Sequence, residues 1–258
     1  MTSARMTEGR VRLRGRCLML AALAMLPSLA LAGDWANWRG PNFNGSTDET
    51  GLPERWSADG ENVLWKAPMP GSGSATPIVV GGRVFVSSTD APARAPAAPR
   101  GPRAKGKTKA APTAQSDSRL LALCLDAATG KELWRREASR TDRRVSRPGG
   151  NLAACSPVAD AGRIFFLFGN GDLAAFDVEG RPLWSRNIEK DHGPLSIKYG
   201  YSSSPLLAGG KLYVIALRNK ELRYQAPPDR GQPAESFVLC LDPATGKDLW
   251  VHQRATDA

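Results

Sequence analysis

The chain has 258 residues, 41% of them apolar and 23% charged, with 26 Gly, 20 Pro, four Cys and a net charge of +10. That length and apolar content suffice for a sizeable core and exclude a chain too polar to fold. The positive charge excludes less than it suggests: residues 1–32 hold +4 and residues 91–118 hold +5, which leaves +1 for everything else and gives no footprint for nucleic acid.

At the N-terminus, Arg10, Arg12, Arg14 and Arg16 precede the apolar run CLMLAALAMLPSLALA, and Ala30-Leu31-Ala32 is a small-residue cleavage pattern. This reads as a secretory signal peptide over 1–32, cut after Ala32. The run is short for a membrane span and Pro27 interrupts it, so no transmembrane span is expected after cleavage. Cys17 lies well upstream of the cut, so no lipoprotein cysteine is expected there. The expected location is exported, periplasmic or extracellular.

Residues 33–73 form an N-terminal segment, and a repeat begins beyond it. SATPIVVGGRVFV runs from Ser74, ACSPVADAGRIFF from Ala154 and SSSPLLAGGKLYV from Ser202. In each, Pro77, Pro157 or Pro205 is followed five residues later by Gly, then by Arg or Lys and an apolar strand. A second phrase follows each. LCLDAATGKELW ends at Trp134, AAFDVEGRPLW at Trp184 and LCLDPATGKDLW at Trp250. The spacings from Pro to Trp are 57, 27 and 45 residues. The excess in the first is the basic stretch 91–118, and in the third the Pro-rich stretch 219–236. Both fall between strands, where a surface loop tolerates insertion. The basic insert is expected to be a solvated Ala/Pro/Lys loop, with weak contact to an anionic surface as the alternative.

The middle copy shows the bare unit. Val158-Ala159 leads through a turn at Asp160-Ala161-Gly162 to a strand from Arg163 to Phe168. Gly169-Asn170-Gly171-Asp172 is a hairpin turn, Leu173 to Asp177 the next strand, and Pro182 to Ile188 the last. Four antiparallel strands make one blade, and a strand-built period near 40–50 residues is the sign of a propeller. The predicted blades are 74–138, 139–188 and 189–254. In each, Asp126, Asp177 or Asp242 ends a strand and accepts from turn amides. Gly130, Gly180 or Gly246 closes the turn, and Trp134, Trp184 or Trp250 fills the gap to the adjacent blade.

After cleavage Cys124, Cys155 and Cys240 remain, and no C-x-x-C spacing suggests zinc. They read as small core residues, too far apart to bridge. His192 and His252 are the only histidines and read as blade-edge residues rather than catalytic bases. GSGSAT at Gly71 lacks the spacing of a nucleophile elbow. The loops RRVSRPGGNLAACS and DHGPLSIKYGYSSS lead into inner strands, which gathers them round a channel mouth. Arg147, Asn151, Lys198, Tyr199 and Tyr201 are the candidate binding residues there, with ordinary solvated connections as the alternative.

The phrases LDAATGKELW, LDPATGKDLW and FDVEGRPLW, with the three Pro-Gly strand phrases, resemble the PQQ-like β-propeller repeat family of the quinoprotein alcohol dehydrogenase-like superfamily, over roughly residues 60–253. The resemblance implies an all-β fold: a partial propeller of four-stranded antiparallel blades, about three full blades plus a lone N-terminal outer strand in NVLWKAPM around Trp65. It also implies that Trp35, Trp38 and Arg39 pack the start of the chain onto the ring. Family rings have seven or eight blades, so the expectation is the N-terminal part of a longer propeller, or an arc that closes by oligomerising.

The family holds PQQ-dependent dehydrogenases and non-catalytic members such as the BamB scaffold. The dehydrogenases clamp their quinone with two adjacent disulfide-bonded cysteines and hold calcium with Glu, Asn and Asp. The cysteines here are widely separated, and no residue matches a quinone clamp or calcium ligand by motif. The expectation is therefore a non-enzymatic, exported scaffold that binds proteins, with no cofactor, no catalytic residue and no metal site. The alternatives are a dehydrogenase using PQQ with calcium, and a cell-wall or carbohydrate-binding propeller.

Overall fold

A computed structural model describes residues 33–57, 60–90, 118–143, 151–160, 162–195, 201–218 and 235–254. Residues 1–32, expected from the sequence to be a signal peptide, nearly all of the inserts 91–118 and 219–236, and Arg147, Lys198 and Tyr199 lie outside the described residues.

Three four-stranded antiparallel sheets follow one another along the chain. The first holds β1 (Ile78–Val80), β2 (Arg83–Thr89), β3 (Ser118–Asp126) and β4 (Glu132–Thr141). The second holds β5 (Val158–Ala159), β6 (Arg163–Leu167), β7 (Asp172–Asp177) and β8 (Pro182–Asn187). The third holds β9 (Leu206–Ala208), β10 (Lys211–Ala216), β11 (Ser236–Leu241) and β12 (Asp248–Arg254). Strands pair in chain order within every sheet, so each is a meander. The protein is all-β, built of partial β-propeller blades. The turns into β2 and β10 are Gly81-Gly82 and Gly209-Gly210, with φ of 55° and 73°, and of 54° and 70°. A two-residue hairpin of this twist needs positive φ at both positions, which glycine adopts without strain.

Each blade also carries the same irregularity. Cys124 pairs Trp134 while Leu125 pairs Glu132, so Leu133 is an extra residue. Ala175 pairs Trp184 and Phe176 pairs Pro182, which leaves Leu183 over. Cys240 pairs Trp250 and Leu241 pairs Asp248, which leaves Leu249 over. A bulge of one residue bends its strand and re-aims the neighbouring side chain. The three bulged leucines are about half exposed, at 49%, 46% and 50%.

The core lies between blades, because alternate residues of a strand face opposite neighbours. On β6, Ile164 and Phe166 join a buried cluster with Ile78, Phe85, Leu120 and Cys124 of the first blade. Phe165 and Leu167 join a second with Leu212, Val214 and Leu239 of the third. A sheet covered on both faces carries continuous apolar runs, which is why IFFLF has no polar alternation.

Two features differ from the sequence expectation. The last strand of the middle blade stops at Asn187, and α1 (Ile188–His192) follows as one helical turn. The Asn187 side chain accepts from Lys190 N and caps it, so Ile188 drops into the core instead of extending the strand. The stretch around Trp65, expected as a lone outer strand, pairs with no strand among the described residues. At the start of the chain, Trp35 bridges Val79 of β1 through both its N–H and C=O, and Ala36 O accepts from Ala159 N of β5. Trp38 is 50% exposed with the Arg39 guanidinium over its ring, so Trp35 and not Trp38 packs this segment down.

Candidate functional site

The repeated residues meet at the seams between blades. The Trp134 indole lies against Gly180 of the next blade, and Trp134 Nε1 donates to Val178 O at 3.0 Å. Trp184 lies against Gly246 and donates to Pro243 O at 3.0 Å. Trp65 lies against Gly130 and donates to Ala127 O at 2.8 Å. Each slot needs a bare Cα, because an added Cβ would fall within about 2.7 Å of the ring: 2.5 Å at Gly130, 2.7 Å at Gly180 and 2.6 Å at Gly246. The turn is held by its Asp. Asp126 Oδ1 accepts from Thr129 N at 2.8 Å and from the Thr129 hydroxyl. Asp177 Oδ1 accepts from Glu179 N and Arg181 N. Asp242 accepts from Ala244 N and the Thr245 hydroxyl. The Thr129 hydroxyl holds the Asp126 carboxyl below its ordinary range, and the Ala244 N–H does the same for Asp242.

Two further repeated contacts escaped the sequence reading. Arg136 Nε donates to Gly180 O at 2.7 Å, and Arg186 donates to Gly246 O at 2.6 Å. Both arginines stand two residues after the Trp, a W-x-R pattern that the sequence carries. On the inner side, Thr76 N donates to Ser156 Oγ at 2.9 Å, and Ser156 N donates to Ser204 Oγ at 2.9 Å. These three residues directly precede Pro77, Pro157 and Pro205, so a hydroxyl before each Pro was the available signal.

The inner strands β1, β5 and β9 lie side by side. In a meander, the hairpin between second and third strands and the connection to the next blade leave the sheet on one side, so the loops chosen from the sequence share that side. Asn151 Nδ2 donates to Ser74 Oγ at 2.6 Å, and the Asn151 Oδ1 is buried. Tyr201 does not face the mouth. It is 3% exposed, packs in the core between the second and third blades, and donates its hydroxyl to Ile215 O at 2.6 Å. Burial pushes that hydroxyl well above its ordinary pKa. An aromatic flanked by Gly and Ser reads as exposed; the core of the seam claims it instead.

Charged groups on this side tie loops down. Arg143 makes a two-pronged pair with Glu189, whose Oε1 also accepts from Leu195 N. Arg218 is 7% exposed and donates to the carbonyls of His192, Pro194 and Glu235, with its guanidinium 5.0 Å over the Phe237 ring. His192 Nε2 is 3.0 Å from Asp248 Oδ2, and its ring lies tilted at 47° against Phe237, with the centroids 5.2 Å apart. His252 is exposed on β12. Cys124, Cys155 and Cys240 are buried, free and on separate strands or loops. Burial pushes the Cys124 thiol up to about 12 and raises Cys155 further. Among the described residues, no three His, Cys, Asp or Glu side chains converge as a metal site, and no helix is long and apolar enough to cross a membrane.

Successive blades locked by a rim tryptophan and an inner hydroxyl define a β-propeller repeat protein. The chain belongs to the family described as outer membrane protein assembly factor BamB, whose model matches residues 47–237. A quinohemoprotein alcohol dehydrogenase from Pseudomonas putida HK5 is 18% identical at a TM-score of 0.42, covering 74% of this chain and 22% of that one. A europium-containing methanol dehydrogenase is 18% identical at 0.39, covering 70% and 24%. BamB from Moraxella catarrhalis is 14% identical at 0.28, covering 70% and 61%. The chain thus spans less than a quarter of the length of either dehydrogenase. A search of curated proteins gave no match.

Proposed function

We propose that this protein is an exported, non-catalytic propeller scaffold that binds other proteins. One observation carries the reading. The segment from Trp38 to Leu64 holds Trp38, Phe43, Leu52, Trp56 and Leu64 in solvent, with Trp56 at 78% and Leu64 at 89% exposure. Their neighbours Trp35 and Trp65 are bound onto the first blade. Large apolar side chains kept out of a core that is close at hand suit burial against a partner, and aromatic anchors dominate such contacts. The family match to an assembly factor supports the same reading. So does the placement of the inner-strand hydroxyls, which are taken up by blade-to-blade bonds.

The experiment is photo-crosslinking in the exporting cell with the label placed at Trp56 or Leu64. Discrete protein adducts that vanish with Trp56→Ala in a normally folded chain are the expected result. Saturable uptake of PQQ with calcium by the purified chain, seen as a shift of the quinone absorbance, would overturn the reading in favour of a dehydrogenase. N-terminal sequencing of the exported protein should start at Gly33.

A further inference from the structure

We infer that the groove along the outer edge of the seam between the second and third blades binds an extended acidic peptide, which adds as a strand to β8 and sets a carboxylate on Lys247. The groove has a volume of about 420 Å³, inside the range of about 300–1,000 Å³ common for ligand sites. Trp184, Ser185 and Arg186 of β8 line one wall, and the turn residues 245–248 line the other. Successive residues of a strand point to opposite faces, so a groove lined by three in a row runs along the strand's edge. β8 is the last strand of its sheet, and its outer edge carries backbone groups with no strand beside them. The two walls belong to adjoining blades of this chain, so the groove is not a seam lacking its neighbour.

The seam between the first and second blades shows what is particular here. There, in the same register, Arg135 follows Trp134 and Arg181 follows Gly180. Both cations are neutralised locally, Arg135 by Glu132 and Arg181 by Asp177 and Glu179. In the next seam Ser185 follows Trp184, and Lys247 follows Gly246. A serine in place of the arginine leaves the space beside the Trp open. The carboxylates near Lys247 are already engaged. Asp242 accepts from Ala244 N and the Thr245 hydroxyl, while Asp248 pairs with Arg186 and lies 3.0 Å from His192. Arg186 is shared in turn with Asp191 and with Gly246 O. The Lys247 ammonium has no ion pair among the described residues. A ligand therefore meets one uncommitted positive charge, the exposed Ser185 and an open strand edge. Together they select an extended main chain with an acidic side chain, where main-chain bonds give affinity and the charge gives specificity.

Fluorescence anisotropy of the purified chain with a dye-labelled hexapeptide of alternating Val and Glu tests this. The expected result is saturable binding that weakens with added salt. It should fall about tenfold in Lys247→Gln and be lost in Ser185→Arg, which fills the groove as Arg135 fills the preceding seam. Both side chains are exposed, so both variants should keep the parent melting temperature. Trp56→Ala should bind the peptide as the parent does, because its segment ends at the Gly130 slot, on another seam. That variant separates this proposal from the scaffold reading. Absence of binding at millimolar peptide overturns the proposal, as does equal binding of a peptide of alternating Val and Lys. Binding unchanged in both groove variants overturns it as well. So does equal binding of the Glu peptide N-methylated throughout, which cannot pair with a strand edge.

Discussion

Trp184 and Gly246 touch across the seam between the second and third blades, ring face against bare Cα, with the indole N–H on the carbonyl of Pro243. The contact leaves no room for a methyl group. Gly246→Ala would place a Cβ 2.6 Å from the ring at φ 70°, so overlap and backbone strain act together. The expected loss is about 2–4 kcal/mol of unfolding free energy, read from urea denaturation. Gly180→Ala should behave alike, and Gly210→Ala should cost less, about 1 kcal/mol, because φ is positive there but no atom lies nearby.

The inner hydroxyls make a second, independent prediction. Ser156→Ala removes the acceptor of Thr76 N. An amide left without its partner costs about 1–3 kcal/mol. Hydrogen exchange at the Thr76 amide should speed up in Ser156→Ala and recover in Ser156→Thr, which restores the oxygen. Equal exchange in both variants would show that the bond contributes nothing.

Acid should loosen the turns. Asp126 and Asp242 have folded-state pKa values below the ordinary 3.8. A depressed carboxylate stabilises the fold fully above its unfolded value and loses that contribution as pH falls through the folded one. The melting temperature should hold from neutral pH to about 5 and drop below about 4. In a chain carrying Asp126→Asn and Asp242→Asn the acid drop should shrink, because the amide oxygen still accepts from the turn but no longer titrates.

Thiol chemistry reports the seams. With Cys124 pushed up to about 12 by burial, and Cys155 raised too, both are protonated and shielded at pH 8 in the folded protein. Neither should react with a thiol-specific disulfide reagent until denaturant is added. Rapid reaction in native buffer would mean that the seams open readily.

The blades were legible because the Trp phrase and the Pro phrase recur, and recurrence marks a structural unit whatever its contacts. The middle blade's strand limits could be read to within a residue or two, since turns at Gly171 and Gly180 break the apolar runs. The bulge at Leu133, Leu183 and Leu249 was not legible, because a leucine beside a tryptophan looks like ordinary strand continuation. The capped turn at Asn187 was hidden for a similar reason: Ile188 suits a strand as well as a helix. Tyr201 lies in a loop that leads into an inner strand, and that position of the loop says nothing about where the ring goes. The W-x-R arginines were on the page in the sequence, and only their partners, carbonyls in the next blade, were not.

The hydroxyl bonds and the tryptophan slots sit at opposite edges of each blade, one beside the first strand and one at the fourth. A single attachment would let neighbouring blades pivot; two at opposite edges remove that freedom and fix the wedge angle between them. The curvature of the array is then written into each seam separately, by Thr76 with Ser156 and Trp134 with Gly180 at one, and by Ser156 with Ser204 and Trp184 with Gly246 at the other. How many blades complete a circle becomes a sum of local angles, which a change as small as one methyl group at a slot could alter.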